Sequence, residues 1–327
     1  MAILTLSDQL TAVELIKRGG FTEDQRTIIE VMSTVNEMLY DAPVEQANDG
    51  TKHTGVIRTA LPHGQHRTYN EGIKTGASQT KRFVDVTCHL ASYSEVDAKL
   101  VQHATDSRSF LTNECVSFIE GMGQDQGDDM IYGNHEKDSR NINGLAIRRN
   151  KVDNKLCIDA GGTGDNLTSL YLIKWGHHGV KYIYPRGASG MAVKRDDRGL
   201  QDVDVYDENG KRTGRMPAYV NYFEAEYGLT IGDERSLIRV CNIDPTMDGT
   251  ALAKICIKAM NNLMPGGGTV SMVCNKDVKT IFDIAAMEKN NVIQTREDPW
   301  GRAVNHFREA RIRRVDAILG TESRVSK

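Results

Sequence analysis

The chain reads as an α+β protein, and three observations lead there. Apolar residues recur at helical spacing in separate stretches at the N-terminus, in the middle and late in the sequence. Between those stretches lie runs rich in β-branched and aromatic residues, several with period-two alternation. Thirty glycines against seven prolines in 327 residues supply the turns and tolerant loops that many short elements require.

Composition narrows the class further. Forty-one basic and 44 acidic side chains leave a net charge of −3, which argues against a strongly basic, polyanion-reading protein. A hydrophobic fraction of 39% and a charged fraction of 26% are ordinary for a globular chain and exclude disordered and collagen-like classes. The length suits one large or two ordinary domains. The first twenty residues lack a basic segment ahead of their apolar ones and lack a small-residue cleavage site, so no signal peptide is expected. No run approaches the roughly 18 apolar residues of a membrane span, so no membrane association is expected. The six cysteines are widely spaced without a CxxC pair, a pattern of buried reduced thiols.

In chain order, helices are expected at about 10–18 and 24–39, with Gly19 and Gly20 as a stop between them. In the second, Ile28, Val31, Met32, Val35 and Met38 form one apolar stripe that needs covering, by the chain's own core or by a neighbouring subunit. From Pro43 to about Tyr93, the runs VIRTA and RFVDVTCHLA flank a polar middle and read as a two-stranded excursion. An isolated hairpin is marginal in water, so such a ribbon needs another surface. Asp106 or Ser107 caps a long helix reaching about Tyr132, with Leu111, Cys115, Phe118 and Met122 on its core face. Gly121, Gly123 and Gly127 each cost about 1 kcal/mol relative to alanine there, so its second half is expected to bend or fray. Short strands follow in LYLIKWG, VKYIYP, VDVYD, YVNYFEAEYGLTI and LIRVCNID. Helices at about 250–264 and 276–290 flank the strand TVSMVCN, and ARIRRVDAIL closes the chain as a β segment.

Chemistry is harder to find. The loop Asp159 to Asn166, DAGGTGDN, has the glycines of a phosphate cradle, but it lacks the Walker lysine and leads into a strand rather than a helix. An ordinary loop is the better reading. His177 and His178 are adjacent and point in different directions, a poor metal pair, and His63 and His66 meet only across a tight turn. No catalytic, cofactor or metal site is expected. The alternation in FREARIRR places Arg311 and Arg313 on one face of a strand, either salt-bridged or facing a neighbour or DNA.

Several stretches, in order over nearly the whole chain, resemble the major capsid proteins of tailed bacteriophages, in particular the epsilon 15-like podophage group. They include NEMLYD (Asn36 to Asp41), TGVIRTALP (Thr54 to Pro62), YNEGIKTGASQT (Tyr69 to Thr80), SEVDAKL (Ser94 to Leu100), MIYGN (Met130 to Asn134) and DAGGTGDNLTSLYLIKWG (Asp159 to Gly176). The resemblance implies the Hong Kong 97-type capsid fold. It divides the chain into an N-arm (1–42), an E-loop (43–92), a P-domain with its spine helix (93–165), an A-domain (166–295) and a return to the P-domain (296–327). Gly72, Lys74 and Gly76 would sit at the E-loop tip, in contact with another subunit. The loop after Gly133, NHEKDSRNINGL, departs from the family in being more charged and lacking proline. Some capsids of this fold cross-link an E-loop lysine to an asparagine, but resemblance to this subgroup does not carry that chemistry to Lys74.

The implied function is structural: hexamers and pentamers of the chain form an icosahedral shell around a double-stranded DNA genome. DNA contact would be non-specific, and scaffold, portal and decoration proteins would be further partners. The implied location is the virion, with assembly in the host cytoplasm. An encapsulin-like nanocompartment shell is the alternative within the fold. A soluble α/β enzyme using the Asp159 to Asn166 loop is the alternative outside it.

Overall fold

A computed structural model describes residues 36–188, 190–287, 293–297 and 303–326. The chain enters through a 3-10 turn, Glu37–Tyr40, capped by the Asn36 side chain, which accepts from the Met38 amide. The strands β1 (Val44–Gln46), β2 (Lys52–Ala60) and β3 (Gln79–Asp97) come next. Helices α1 (Ala98–His103), α2 (Ser107–Tyr132) and α3 (Leu145–Arg148) then lead to β4 (Cys157–Asp159), β5 (Thr168–Trp175) and β6 (Val180–Tyr184). A long hairpin is made of β7 (Lys194–Tyr206) and β8 (Arg212–Ile231), followed by β9 (Leu237–Ile243). Helix α4 (Gly249–Asn262), strand β10 (Thr269–Cys274), helix α5 (Lys276–Met287) and strands β11 (Ile293–Glu297), β12 (Ala303–Phe307) and β13 (Ala310–Arg314) complete the order.

The main sheet runs β11-β12-β13-β10-β5-β6-β8-β3-β2, with β9 branching from β5 and carrying β4, and with β7 lying on β8. Strand β5 explains why the sheet has two covered sides. Its side chains alternate between two cores, as period two requires. Leu170 and Leu172 pack with Ile238, Met272, Cys256 and Phe282 beneath α4 and α5. Tyr171, Ile173 and Trp175 pack with Met38, Ile119, Met122, Tyr182 and Phe223 beneath α2. Every residue of β5 is buried, the polar Thr168, Ser169 and Lys174 included.

Helix α2 begins as its sequence foretells, with the Asp106 carboxylate accepting from the Arg108 and Ser109 amides at 3.0 and 3.2 Å. It runs unbroken to Tyr132, against the expectation of fraying after Gly121. Gly123 and Gly127 are buried along with Ile119, Met122, Met130 and Ile131. Packing of that face, rather than propensity, holds the second half. The charged loop after Gly133 is also ordered: Asn141 donates to Asp129 at 2.6 Å, and the Gly144 amide returns to the Gly133 carbonyl at 2.9 Å.

The stretch 43–92 has three parts. Strand β1 lies parallel to β6 within the body. Lys52 to Val86 forms a ribbon in which β2 pairs only with β3. From Thr87 onward β3 changes partner and pairs with β8 as far as Asp97. Gly228 marks the branch, because it faces both Thr87 and Ile183. A Cβ there would stand 2.9 Å from the Val86 carbonyl oxygen, so only glycine lets three strands converge.

Buried ion pairs tie distant parts of the chain together. The Glu322 carboxylate meets Arg239 at 3.0 Å, with both side chains 6% exposed. It also accepts from the hydroxyls of Tyr132, at 2.5 Å, and Ser169. The Tyr132 oxygen in turn accepts from the Leu319 amide at 2.9 Å. These bonds fasten the segment after β13 across α2 and β5.

All six cysteines are buried and none is in a disulfide. Burial pushes the Cys88 and Cys256 thiols up to about 12. Because all six are buried, a water-soluble maleimide at neutral pH should label none of them in the folded subunit and all six in denaturant, as counted by intact-mass spectrometry. Labelling of any thiol in the native protein would contradict this packing.

Candidate assembly surfaces

The chemically tempting residues are used for structure. In the glycine-rich loop, the Asp159 carboxylate accepts from the Gly161 amide at 2.8 Å and from Asn242 Nδ2 at 2.9 Å. A Cβ on Gly162 would stand 2.5 Å from the Asn242 carbonyl oxygen. The loop is therefore laid against β9 and feeds β5, with no helix N-terminus to receive a phosphate. His177 bonds Glu45 at 2.8 Å, while His63 and His66 lie exposed. Among the described residues no group of three metal-ligating side chains converges.

The paired arginines near the end of the chain take the salt-bridged form. Asp41, whose side chain is fully buried, receives Arg313 Nε at 2.8 Å, Arg313 Nη2 at 2.9 Å and Arg311 Nη1 at 2.7 Å. Ser271 donates to the same carboxylate at 2.7 Å and accepts from Trp175 Nε1 at 3.0 Å. Desolvation pushes the Asp41 carboxyl upward, but the two guanidiniums and Ser271 outweigh it and hold the group below the usual carboxylate range.

This pair fixes the end of the N-terminal segment. Met38 and Leu39 are buried in the core beside α2, and Asn36 bridges to Val315. Met38 is thus covered by its own subunit's core, one of the two covers that its stripe allowed. Ile28, Val31, Met32 and Val35 lie outside the described residues. On α2, Cys115 and Met122 are buried and Leu111 and Phe118 half-buried, with Phe118 stacked on Phe223 at 5.6 Å between ring centroids.

The surfaces left over are long and apolar in places. The ribbon carries Val56, Leu61, Tyr69, Ile73 and Val84 exposed, and Tyr69 reaches 96% exposure. Phe83 lies across Gly55 on the opposite strand, stiffening the stem. The connecting residues 61–78, with Gly72, Lys74 and Gly76 among them, are all exposed, and a turn at Thr68 to Glu71 is closed by the Thr68 amide on Glu71 Oε2 at 3.0 Å. A second projection is the β7–β8 hairpin, which overruns β3 beyond Ala218. It exposes Leu200 and Tyr206. At its base, Arg198 covers the rings of Tyr93 and Tyr222 at 5.3 and 4.9 Å.

Two cores with long projections that leave apolar side chains exposed are the build of a subunit that completes its burial on other molecules, as structural assembly proteins do. The comparisons agree with that class. The major capsid protein GP7 family model matches residues 21–326, and the chain belongs to that family. The bacteriophage epsilon15 structure is similar over 87% of this chain and 88% of that chain, at 29% identity and a TM-score of 0.66. The bacteriophage JBD30 capsid is similar over 97% and 99% at 12% identity and a TM-score of 0.48. The encapsulin of Synechococcus elongatus PCC 7942 is similar over 73% and 97% at 11% identity and a TM-score of 0.43. These last two are too distant to carry an argument. No curated protein matches. The chain is a phage major capsid protein of the Hong Kong 97-type fold, a structural component of the virion shell.

Sequence reasoning missed the Asp41 clamp and the Glu322–Arg239 pair. The alternation around Arg311 and Arg313 was a signal for the first, lacking only its partner. Nothing marks Glu322, because its partners come from three other elements.

Proposed function

We propose that the chain tiles an icosahedral shell, as hexamers and pentamers, around the double-stranded DNA of a tailed phage. DNA is touched non-specifically, scaffold, portal and decoration proteins assist, assembly proceeds in the host cytoplasm, and the chain has no catalytic role. The ribbon from Lys52 to Val86 acts as the E-loop, with Gly72, Lys74 and Gly76 near the tip that meets another subunit. The core beneath α2 belongs to the P-domain and the core beneath α4 and α5 to the A-domain.

One observation carries this reading: the ribbon leaves Val56, Leu61, Tyr69, Ile73 and Val84 exposed, in a chain of a capsid family. Expression of the chain alone and with candidate scaffold and portal proteins, followed by negative-stain microscopy, tests it. Closed polyhedral shells or tubes are expected. A monomer or small ring under every condition would count against it.

A further inference from the structure

The two projections handle their charges differently. On the β7–β8 hairpin, Asp204 holds Arg212 and Arg215 at 2.7 Å each, and Asp196 holds Arg198 at 3.3 Å. The ribbon does not neutralise itself in this way. Residues 52–84 carry six lysines and arginines against one carboxylate, Glu71, in a chain whose net charge is −3. Arg67 donates to the Glu71 carbonyl and Arg82 to the Thr54 hydroxyl, both at 3.4 Å. Among the described residues neither of them, nor Lys52, Lys74 or Lys81, forms an ion pair.

Part of that charge has a definite side. Residues paired across two strands share a face, so Lys52, Val56, Arg82, Val84 and Val86 stand together. Val56 and Val84 are among the exposed apolar residues, which gives this side both positive charge and apolar surface. Alternation along β3 puts Arg82, Val84 and Val86 on the side of Cys88 and Leu90, and those two pack into the core beneath α2.

The other side of the sheet is open where β3 meets β8. Tyr93 and Tyr222 lie there with ring centroids 4.8 Å apart, and Tyr93 is exposed. Glu95, Glu224 and Glu226 surround them on the same face. Lys194 attends Glu224 at 3.7 Å, Glu226 has only His89 at 3.9 Å, and Glu95 has no ion pair among the described residues. The outer face of α2 also bears carboxylates, Glu120, Asp125 and Asp128, but the exposed residues between them are Gly121 and Gln124. That helix answers the ribbon's charge without covering its valines. The open sheet face answers both.

The cationic side of the ribbon and the open face lie on opposite sides of one strand, so a subunit cannot lay the first on the second. Another copy can. We propose that the ribbon's cationic side seats on the open β3–β8 face of a second copy of this chain, with Arg82 and Lys74 drawn to Glu95 and Glu226. This rests on the reading of the ribbon as the part that meets another subunit, and it adds which surface receives it. Two different faces meet, so the contact runs head to tail and closes into a ring when the rotation between copies allows.

Charge exchange in the full chain, expressed with the scaffold and portal proteins, tests the proposal. The readouts are the assembled fraction by sedimentation and the thermal midpoint of the unassembled subunit. Lys74→Glu with Arg82→Glu should lower the assembled fraction about tenfold or more, since like charges set against one another strongly disfavour an interface, and should leave the midpoint unchanged. Glu95→Lys with Glu226→Lys should do the same. All four substitutions in one chain restore opposite charges and should recover assembly. Lys81→Glu, on the other side of the ribbon, should assemble as wild type. Failure of the fourfold variant to recover, or an equal loss from Lys81→Glu, would overturn the proposal. So would normal shells from either double variant, including the case in which Lys74→Glu with Arg82→Glu weakens only DNA retention. Wild-type shells that ignore these substitutions defeat this inference alone, whereas a wild-type chain that never assembles defeats the capsid reading along with it.

Discussion

Asp41→Ala is expected to destabilise the subunit by about 3–5 kcal/mol, the cost of breaking a buried ion pair by removing one member. Arg313, with a side chain 5% exposed, would lose both of its bonds to the carboxylate, and Ser271 would lose its acceptor. Partly exposed Arg311 can turn to water, so the loss concentrates on Arg313. Chemical denaturation monitored by tryptophan fluorescence is an apt probe, because Trp175 sits one hydrogen bond from the cluster. Asp41→Asn keeps the shape and removes the charge; it should fall between wild type and alanine. If alanine costs less than about 1 kcal/mol, the typical value of an exposed pair, the clamp is not what fastens the N-terminal segment.

The same carboxylate sets a pH dependence. Its value in the folded subunit lies below its ordinary one, so its contribution is complete above the ordinary carboxylate range and fades as pH falls through the folded value. Wild-type stability should drop steeply in that acid range, and Asp41→Asn should lack that part of the drop.

Replacing residues 62–77 by an Asn-Gly turn should have the largest functional effect. The removed residues are all exposed and belong to no strand, and a two-residue turn suits a hairpin. The subunit is expected to keep its unfolding free energy within about 0.5 kcal/mol while shells disappear from micrographs, since Tyr69 and Ile73 go with the loop. Shells of ordinary size from this variant would remove the ribbon tip from the assembly contacts. A large loss of stability would instead mean that the tip supports its own subunit.

How much of this was legible beforehand follows from the range over which each feature is determined. Helix α2 was readable at its start because Asp106 caps its own first turn, a local matter. The persistence of α2 past Gly121 was not, because it depends on residues far away in sequence, such as Asn36 and Ala317 beside Gly127. Strand β7 was read only at its end, VDVYD, since its first half, KRDDRG, carries charges that fit a loop. There the strand is imposed by β8, to which it pairs from Lys194 onward, and the charges face one another or water, as in Arg198 with Asp196. The short helices α1 and α3 were missed because four to six residues cannot display a helical period. Of the candidate surfaces, the ribbon was visible as polar text between two strand runs. The two long-range ion pairs were not, since Asp41 and Arg313 stand 272 residues apart.

The change of partner along β3 also governs where the chain can tolerate insertions and deletions. Residues 61–78 form a loop outside the sheet, where doubling a flexible loop costs only about 0.6 kcal/mol. From Thr87 to Asp97 the register with β8 is continuous, and one added residue would send every later side chain to the wrong face. As far as the subunit's own folding is concerned, length can drift at the tip while the strand beneath it stays fixed, so one continuous element joins a part limited only by its assembly contacts to a part limited by the fold itself.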